Sequence, residues 1–207
     1  MKNEIMKKEF SFYEFVGILV PGVMILFFGA ISYEDITGKS IVDFSKFGES
    51  LIFIIVAYGT GHILHSIGNL YESIFWELFG GMPTQWLIKK NRFGKFLFSK
   101  TQREAILSKI KNQFGDSPEK DYGMDVYNWL SLKKEVTVKR IDVFNANYSL
   151  LRGMAVTFYL LTISSMFFFS WKVMLAALVL GLLSNYRMYR FAKIHAIEIY
   201  RTYFNYE

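Results

Sequence analysis

The sequence predicts an all-α membrane protein with four transmembrane helices and a helical cytoplasmic domain between spans two and three. Hydrophobic residues make up 52% of the 207 residues and charged residues only 20%, and the charges lie in blocks between long apolar runs. A helix of about 20 apolar residues crosses the hydrocarbon core of a bilayer. Cysteine is absent, which excludes disulfides and thiolate metal sites.

The first predicted span runs from Phe12 to Tyr33 and is almost uncharged. It is longer than the apolar region of a signal peptide, and no small-residue cleavage site follows it, so we expect the span to be retained. Pro21-Gly22 predicts a kink near its middle. The second span runs from Leu51 to about Glu72, and its helix is expected to continue until Gly80-Gly81 stops it.

The third and fourth predicted spans form a hairpin within Gly153–Leu183. This run has one charge, Lys172, and is too long for a single span. We therefore expect a turn at Ser170-Trp171-Lys172. The fourth span is short, and three polar or aromatic residues are expected to extend it into the headgroup region: Asn185, Tyr186 and Tyr189.

The distribution of basic residues predicts the orientation. Of the 24 Lys and Arg residues, 21 lie in the segment before span one, in the segment between spans two and three, or after span four. Cytoplasmic loops carry the excess of positive charge, so both termini and the middle domain are predicted to be cytoplasmic. The predicted parts are a two-span region (1–72), a basic helical domain (73–150), a transmembrane hairpin (151–189) and a cytoplasmic C-terminal helix (190–207).

Helices are also predicted for the cytoplasmic domain. Thr101 and Glu104 have the spacing of a capping box, an apolar face follows them, and Gly115 ends the helix. A short helix is expected over about Asp125–Lys134. A last helix should begin near Thr137 and continue into span three.

A basic and aromatic segment follows the second span. Eight basic residues lie between positions 89 and 111 with one acidic residue, and the net charge of the whole chain is +6. Either this segment contacts anionic lipid headgroups, or it binds a nucleotide or oligonucleotide through cations and stacking aromatic rings. The candidate ligand-binding residues are Lys89, Lys90, Arg92, Lys95 and Arg103. The candidate stacking residues are Trp86, Phe93, Phe96 and Phe98.

Span two also contains polar residues at helical spacing, which predicts a polar face inside the membrane: Tyr58, His62, His65, Asn69 and Glu72. Polar groups in a span face a bundle interior or a wet cavity. Hydrogen bonding between helices and pore lining in an oligomer are both consistent with this face. A metal site at His62 and His65 is less favoured because no third ligand is evident, so we expect no metal and no cofactor.

Charged residues lie at the predicted inner boundary of the membrane: Glu14, Glu72, Arg152, Arg187 and Arg190. The arginine side chains are expected to extend to the headgroups. The alternative is that the carboxylates form ion pairs with them and hold the cytoplasmic mouth of the bundle in one state.

Arg190 and His195 form an R-x4-H pair that resembles the signature of HEPN ribonucleases. In that family the pair comes together across a dimer, where it activates a ribose hydroxyl and stabilises the phosphate. Phe191 follows Arg190 here, where active members place a polar residue. No nucleophile elbow, phosphate loop or carboxylate pair is present, so the chain is not expected to be an enzyme.

Three segments carry a resemblance: FYEFVGILVPGVMIL, RIDVFNANYSLLRGMAV and YRFAKIHAIEIYRTYF. Together they resemble small four-span membrane effectors of bacterial antiphage defence loci. The similar proteins are the channel effector of Hailong-type systems, which pairs with a nucleotidyltransferase, and the pore-forming accessory protein of type VI-B CRISPR loci.

This resemblance implies a homo-oligomeric pore in the inner membrane, gated through its cytoplasmic domain by a nucleotide or nucleic-acid signal. A partner defence protein would then accompany it. Two alternatives remain open at the level of sequence. One is a non-conducting membrane anchor or adaptor, and the other is a membrane-tethered HEPN-like ribonuclease.

Overall fold

The structure is a computed structural model that describes residues 12–39, 46–116, 121–133, 137–168 and 171–206. Over these ranges all the regular secondary structure is helical, with six α-helices, one 3-10 helix (Pro83–Leu87) and no strand. The α-helices are α1 (Phe12–Thr37), α2 (Phe47–Leu78), α3 (Lys100–Phe114), α4 (Tyr122–Leu132), α5 (Thr137–Phe168) and α6 (Trp171–Asn205). The all-helical prediction is confirmed.

Four helices pack side by side in a bundle that we call the stem: α1, α2, the second half of α5 from 151, and the first half of α6 to 187. α5 packs along α6 and also contacts α1 and α2, and α1 packs against α2. Two helices of the described chain, α2 and α5, are long and apolar enough to cross a membrane. The apolar stretch of α1, Phe15–Ile31, is shorter.

The exposure of α2 favours a membrane over a soluble core. The most apolar 18-residue window of this helix is only 22% buried inside the protein. A core helix of a soluble protein is apolar because other elements cover it, whereas α2 turns large aliphatic side chains outwards along its whole length, among them Ile52, Ile55, Ile63 and Leu70. Lipid tails are the solvent that suits such a surface.

Glycines allow α1 to cross α2 at backbone contact. A Cβ atom on Gly22 would overlap the carbonyl oxygen of Ala57, and one on Gly61 would overlap the carbonyl oxygen of Ile18. Small residues at such crossings let helices approach closely in membranes. Pro21 lies inside the continuous helix α1, and its ring contacts Gly153 of α5, where an added Cβ would lie 3.0 Å from Cγ of the proline.

The second part of the molecule, which we call the head, consists of the 3-10 helix, α3, α4, residues 137–150 of α5 and residues 188–205 of α6. One hydrophobic core joins these elements. Its largest fully buried side chains include Trp86, Tyr122, Ile110, Tyr200 and Tyr203. The C-terminal residues therefore do not form a separate helix. They are the end of α6, and they supply the centre of the head.

Polar contacts fix the end of α6 in the head. The Nζ of Lys109 donates to the carbonyl oxygen of Phe204 at 3.1 Å and to that of Tyr206. A cation at a helix C-terminus satisfies carbonyl groups that have no partner in the helix. The Tyr200 hydroxyl donates to the carbonyl oxygen of Thr84 at 2.6 Å, which ties α6 to the 3-10 helix.

Several predicted helix boundaries are confirmed. α2 ends at Leu78, and Gly80 and Gly81 both adopt positive φ, 80° and 99°, a conformation that ends helices. Gly115, with φ of 81°, follows the end of α3. α5 begins at Thr137 and runs without a break into the stem.

Two helix starts differ from the prediction. α3 begins at Lys100 with Ser99 as its N-cap, so the capping box at Thr101 and Glu104 is wrong. The Ser99 hydroxyl instead donates to Oε1 of Gln102 at 3.1 Å. α4 begins at Tyr122, three residues before the predicted start, because the Asp121 carboxylate accepts from the backbone N–H of Gly123 at 2.9 Å and caps the helix there.

Of the predicted hairpin, α5 ends at Phe168 and α6 begins at Trp171. Trp171 and Lys172 are thus already helical, whereas Ser170 lies outside the described residues, as do residues 134–136 at the predicted end of α4.

Candidate functional site

The predicted polar face of α2 is divided in the folded protein. His65 and Glu72 point towards α5, whereas His62 and Asn69 are exposed on the outside of the stem. Tyr58 lies between these groups, with its ring 5.5 Å from that of Phe15 and 4.7 Å from that of His62. The residue spacing predicted a single polar face on α2. The folded protein has two polar sites there instead, one directed towards α5 and one exposed.

The inward site is an ion pair between Glu72 of α2 and Arg152 of α5. Nη1 of the guanidinium contacts Oε2 of the carboxylate, and the two side chains are only 9% and 16% exposed. Gly68 makes room for it, because a Cβ there would lie 3.4 Å from Cγ and Nε of Arg152. The prediction that Arg152 extends to the headgroups is wrong, since its charge is neutralised inside the stem at the junction with the head.

Tyr148 and Trp76 complete the coordination of Glu72. The Tyr148 hydroxyl donates to Oε1 of Glu72 at 2.5 Å and accepts from Nε1 of Trp76 at 2.9 Å. Tyr148 is one helical turn before Arg152 on α5, and Trp76 is one turn after Glu72 on α2, so each helix presents its pair of residues on one face. Both carboxylate oxygens therefore have a donor.

His65 occupies the other side of the guanidinium. Nη2 of Arg152 lies 2.8 Å from Nε2 of His65, and Oγ of Ser149 lies 3.3 Å from the same nitrogen. A guanidinium only donates, so Nε2 must accept and the ring must carry its proton on Nδ1. Nδ1 is buried and has no partner among the described residues. His65 is thus a neutral ligand of a buried cation.

This cluster, Glu72, Arg152, His65, Tyr148 and Trp76, joins α2 to α5 through hydrogen bonds in a low-dielectric region. Removing one partner of a buried ion pair costs about 3–5 kcal/mol because the other charge is left uncompensated. The intact pair contributes less net stability than that, since both charges lost their hydration. What it provides is one defined register between the two helices.

A second polar contact joins three stem helices and was not predicted. The Tyr71 hydroxyl of α2 donates to Oδ1 of Asn185 on α6 at 2.7 Å, and Nδ2 of Asn185 donates to the Tyr159 hydroxyl of α5. The amide of Asn185 thus connects helices of the stem, and the Tyr189 ring packs among Trp76, Phe79 and Trp86. The placement of both residues at headgroup depth stays a prediction.

The other boundary charges behave differently. Arg187 and Arg190 are exposed on α6, and each guanidinium lies over an aromatic ring of its own helix, 5.7 Å from Phe191 and 5.9 Å from Tyr186. The side chain of Glu14 lies outside the described residues. The predicted set of boundary ion pairs is thus represented in the described chain by Glu72 and Arg152.

The outward site is a polar line along α2 that we call the polar strip: His62, Ser66, Asn69 and Ser73, all exposed. Ser66 and Ser73 were missed by the sequence prediction, although their spacing with the other two is helical. Their hydroxyls donate to the carbonyl oxygens of His62 and Asn69, at 3.0 and 3.2 Å. Asn69 has no side-chain hydrogen bond to any described residue. The neighbouring face is aliphatic, with Ile63, Leu70 and Ile74 exposed.

The described residues contain no group of three or more His, Asp, Glu or Cys side chains arranged to hold a metal ion. His62 and His65 lie on different sides of α2, and the Arg152 guanidinium contacts the available nitrogen of His65. The pair therefore does not converge on one point.

Most of the candidate stacking residues are used inside the head. Trp86 is 1% exposed, the Phe98 ring packs 6.3 Å from that of Tyr200, and the Arg103 guanidinium covers the Phe96 ring at 3.8 Å. Only Phe93 presents a large open surface, at 64% exposure. Trp86, Phe96 and Phe98 are therefore not available as platforms for bases, which weakens the oligonucleotide interpretation.

The candidate cations fall into two groups. Arg103 is part of the head, where it packs on Phe96. Lys89, Lys90, Arg92 and Lys95 are exposed, and all four lie in the loop between the 3-10 helix and α3, beside the end of α2.

Arg190 and His195 are not brought together within one protomer. Five residues along a helix correspond to about 140° of rotation. Arg190 is exposed, whereas His195 is half-buried in the head, with Nε2 shielded from solvent and the ring 6.5 Å from the Tyr127 ring. Burial lowers the pKa of His195 to about 4, with an opposing contribution from the Asp142 carboxylate. The partial burial of this imidazole and its separation from Arg190 around α6 give no support to a HEPN-like site within one protomer.

No protein family matches the sequence, and no curated protein or solved structure matches the chain.

Proposed function

We propose that the protein forms an oligomeric pore in a membrane, with the polar strip of α2 facing a neighbouring copy or the permeation path. The observation that carries this proposal is the exposure of His62, Ser66, Asn69 and Ser73 in a stretch of α2, residues 62–74, whose other exposed side chains are all aliphatic. Polar and ionisable groups are costly in lipid and are found facing protein or water-filled cavities. Association of copies through α2 would remove the strip from lipid.

A path between copies is favoured over a path through one protomer. α1 and α2 touch at backbone level at Gly22 and Gly61, and Gly181 of α6 leaves space for the Tyr159 ring of α5 at contact distance. The centre of the stem is therefore filled by packed helices. A wide aqueous path requires several copies around an axis, as in closed cyclic oligomers.

The packing also supports four crossings. The end of α6 packs in the head, and α5 leaves the head to enter the stem. If α5 crosses the membrane, α6 must cross back to return its last residues to the head. α1 lies along α2 and α5 in the same bundle. This arrangement supports a head and both ends on one side, which the basic residues predict to be the cytoplasm.

α5 gives the head a mechanical connection to the pore. This single helix of 32 residues starts in the head and ends in the stem. At the junction its Tyr148, Ser149 and Arg152 hold Glu72 and His65 of α2. A displacement of the head would shift α5 against α2 and thereby reorient the polar strip, which is the form of coupling the proposal needs.

The resemblance of the three segments extends the proposal to a defence effector of the bacterial inner membrane. In this form a nucleotide or oligonucleotide acts on the head and opens the pore. The resemblance supports this step, together with the exposed Lys89 and Lys95 of the loop after the 3-10 helix. It predicts salt-sensitive binding of short oligonucleotides, because each phosphate contact releases counterions.

The pore is tested with purified protein in liposomes that contain a self-quenched dye. We expect a discrete oligomer in detergent and release of the dye or of ions. Asn69→Leu and His62→Leu should reduce release by an order of magnitude without changing the yield of folded protein. Leu70→Ile changes an exposed aliphatic residue beside the strip and should leave release unchanged.

A monodisperse monomer without release would overturn the pore and favour the anchor or adaptor. Release that is insensitive to both strip substitutions would overturn the role of the strip. RNA cleavage that is lost in Arg190→Ala and His195→Ala variants would favour the ribonuclease.

A further inference from the structure

A cavity of about 470 Å³ lies where α2 ends and the loop after the 3-10 helix folds back on it. Lys90 and Arg92 of the loop line one side, and Glu77, Ile74 and Leu78 of α2 line the other. The cavity thus combines two cations with a partly apolar wall. It is separate from the polar strip and from the charged cluster around Arg152.

The loop that presents the cations is held rigidly. Arg92 binds the end of α2 twice: its backbone N–H donates to the carbonyl oxygen of Phe79 at 3.0 Å, and its Nη1 donates to that of Leu78 at 3.1 Å. The Asn91 side chain accepts from the backbone N–H groups of Phe93 and Lys95, at 3.0 and 2.9 Å. The loop is therefore preorganised, which reduces the entropy cost of binding.

Gly80 is required for this approach of the loop to the helix. It adopts φ of 80°, and a Cβ on it would lie 3.0 Å from the backbone nitrogen of Arg92. The turn at the end of α2 thus ends the helix and also leaves space for the backbone of the cationic loop.

The cavity lies at the depth of lipid headgroups if α2 spans a bilayer. The 32 residues of α2 extend for about 48 Å, which exceeds the hydrocarbon thickness of about 30 Å. Its aliphatic face nevertheless continues to the cavity, where Ile74 and Leu78 are 64% and 54% exposed. Phe93 projects from the loop beside them, in contact with Phe79. The cavity therefore has two cations, Lys90 and Arg92, next to the apolar surface of Ile74 and Leu78. A phospholipid has the complementary arrangement, with an anionic phosphate next to apolar acyl chains.

We propose that this cavity binds an anionic phospholipid, with Lys90 and Arg92 at the phosphate and Ile74 and Leu78 against the upper acyl chains. The proposal goes beyond pore formation: it requires α2 to lie in a bilayer, and conduction has no part in it. An oligonucleotide is the less favoured occupant, because Phe93 is the only one of the four candidate stacking residues that is open and the aliphatic wall has no role in binding a nucleic acid.

Glu77 gives the proposal an internal control. Its carboxylate shares the cavity with the two cations and opposes the binding of an anion. Glu77→Gln should therefore strengthen binding, whereas Lys90→Gln should weaken it. Lys90 is the better basic residue to replace, because Arg92 also holds the loop in place and its loss affects folding.

The test measures the thermal stabilisation of the full-length protein in detergent on addition of dioctanoyl phosphatidylglycerol. Dioctanoyl phosphatidylcholine, glycerol phosphate and a ten-nucleotide oligothymidylate are added in parallel. Among the three glycerol compounds we expect stabilisation by phosphatidylglycerol alone, and any effect of oligothymidylate should be the same in Lys90→Gln as in the parent. Lys90→Gln should weaken its apparent affinity about fivefold, equivalent to the roughly 1 kcal/mol of one juxtamembrane cation. Lys100→Gln, which removes the same charge from α3 outside the cavity, should have no effect.

Equal stabilisation by phosphatidylcholine, or by glycerol phosphate at the same concentration, would overturn the phospholipid as the ligand. Identical affinities of the parent, Lys90→Gln and Glu77→Gln proteins would overturn the site. Oligothymidylate binding that is lost in Lys90→Gln would assign the cavity to nucleic acid instead. Dye release measured on the same preparations separates these results from the pore, since a protein that binds phosphatidylglycerol without releasing dye supports the lipid site and contradicts the pore.

Discussion

The guanidinium of Arg152 on α5 pairs with the carboxylate of Glu72 on α2, and each side chain is at least 84% buried at the junction of stem and head. His65 accepts from Nη2 of Arg152, and Tyr148 donates to the second oxygen of the Glu72 carboxylate. No other contact joins α2 and α5 through full charges in the described chain. The pair therefore holds α2, which carries the polar strip, in one position relative to α5, which continues into the head.

A double-mutant cycle tests this pair. Glu72→Gln or Arg152→Met alone leaves one buried charge without its partner, and we expect each to cost about 3–5 kcal/mol. For a chain of this size the thermal midpoint in detergent should fall by roughly 6–20 °C. The double variant removes both charges and should recover most of the loss. Additive losses in the double variant would contradict a specific pair.

Charge reversal supplies the matched control for the same site. Glu72→Lys places two cations together and should abolish the folded oligomer or alter dye release strongly. Glu34→Lys changes an exposed carboxylate near the end of α1. It should therefore change the free energy of unfolding by less than about 1 kcal/mol. Equal effects of the two reversals on assembly and on release would argue against a special role of Glu72.

The crossing of α1 and α2 should tolerate no side chain at two glycines. Gly61→Ala places a methyl group on the carbonyl oxygen of Ile18, and Gly22→Ala places one on that of Ala57. Each helix must move, so we expect large losses of thermal stability. Gly59→Ala is the control, because nothing lies within 4 Å of its Cβ position and alanine favours helix by about 1 kcal/mol. A stable Gly61→Ala protein would show that the helices do not cross in this way.

The helix ends were predictable because their signals are local. Gly80-Gly81 and Gly115 stop helices through backbone conformations that glycine adopts most easily. The start of α3 was missed because Ser99 and Thr101 are both acceptable caps, and the choice between them depends on where Phe98 packs in the head. Propensity alone does not contain that information.

The division of the polar face could not be predicted from spacing. At 100° per residue, the five predicted residues cover about 80° of the circumference of α2, in the order Glu72, His65, Tyr58, Asn69 and His62. The spacing shows that they share a side of the helix. It does not show that α5 covers the first two and leaves the last two exposed, because that depends on the Gly68 contact with Arg152.

Cysteine labelling tests the number of crossings, and the chain has no native cysteine to remove. In intact bacteria an impermeant maleimide should label Lys39→Cys and Lys172→Cys. Asn112→Cys in α3 and Asn205→Cys at the end of α6 should be labelled only after the membrane is permeabilised. The reason is that the head contains both of these positions. Labelling of Asn205→Cys in intact cells would contradict the return of α6 through the membrane.

Stability in acid should depend on His195. Burial in the head lowers the pKa of this ring to about 4, below its ordinary value of about 6.5. Below pH 6.5 the unfolded chain takes up a proton that the folded chain does not accept until about pH 4. The unfolded state is therefore favoured by about 1.4 kcal/mol for each pH unit across this window, whereas above pH 7 the ring is neutral in both states and has no effect.

Replacing the ring separates this contribution from that of the carboxylates. His195→Phe keeps a planar apolar side chain in the pocket and removes the titration, so its thermal midpoint should fall less steeply than that of the parent between pH 6.5 and pH 4.5. His62→Gln removes an exposed histidine of α2 and should keep the slope of the parent, because His195 is still present. Parallel slopes for the parent and His195→Phe would mean that the ring is already protonated in the folded head, and the buried neutral imidazole inferred from its surroundings would be wrong.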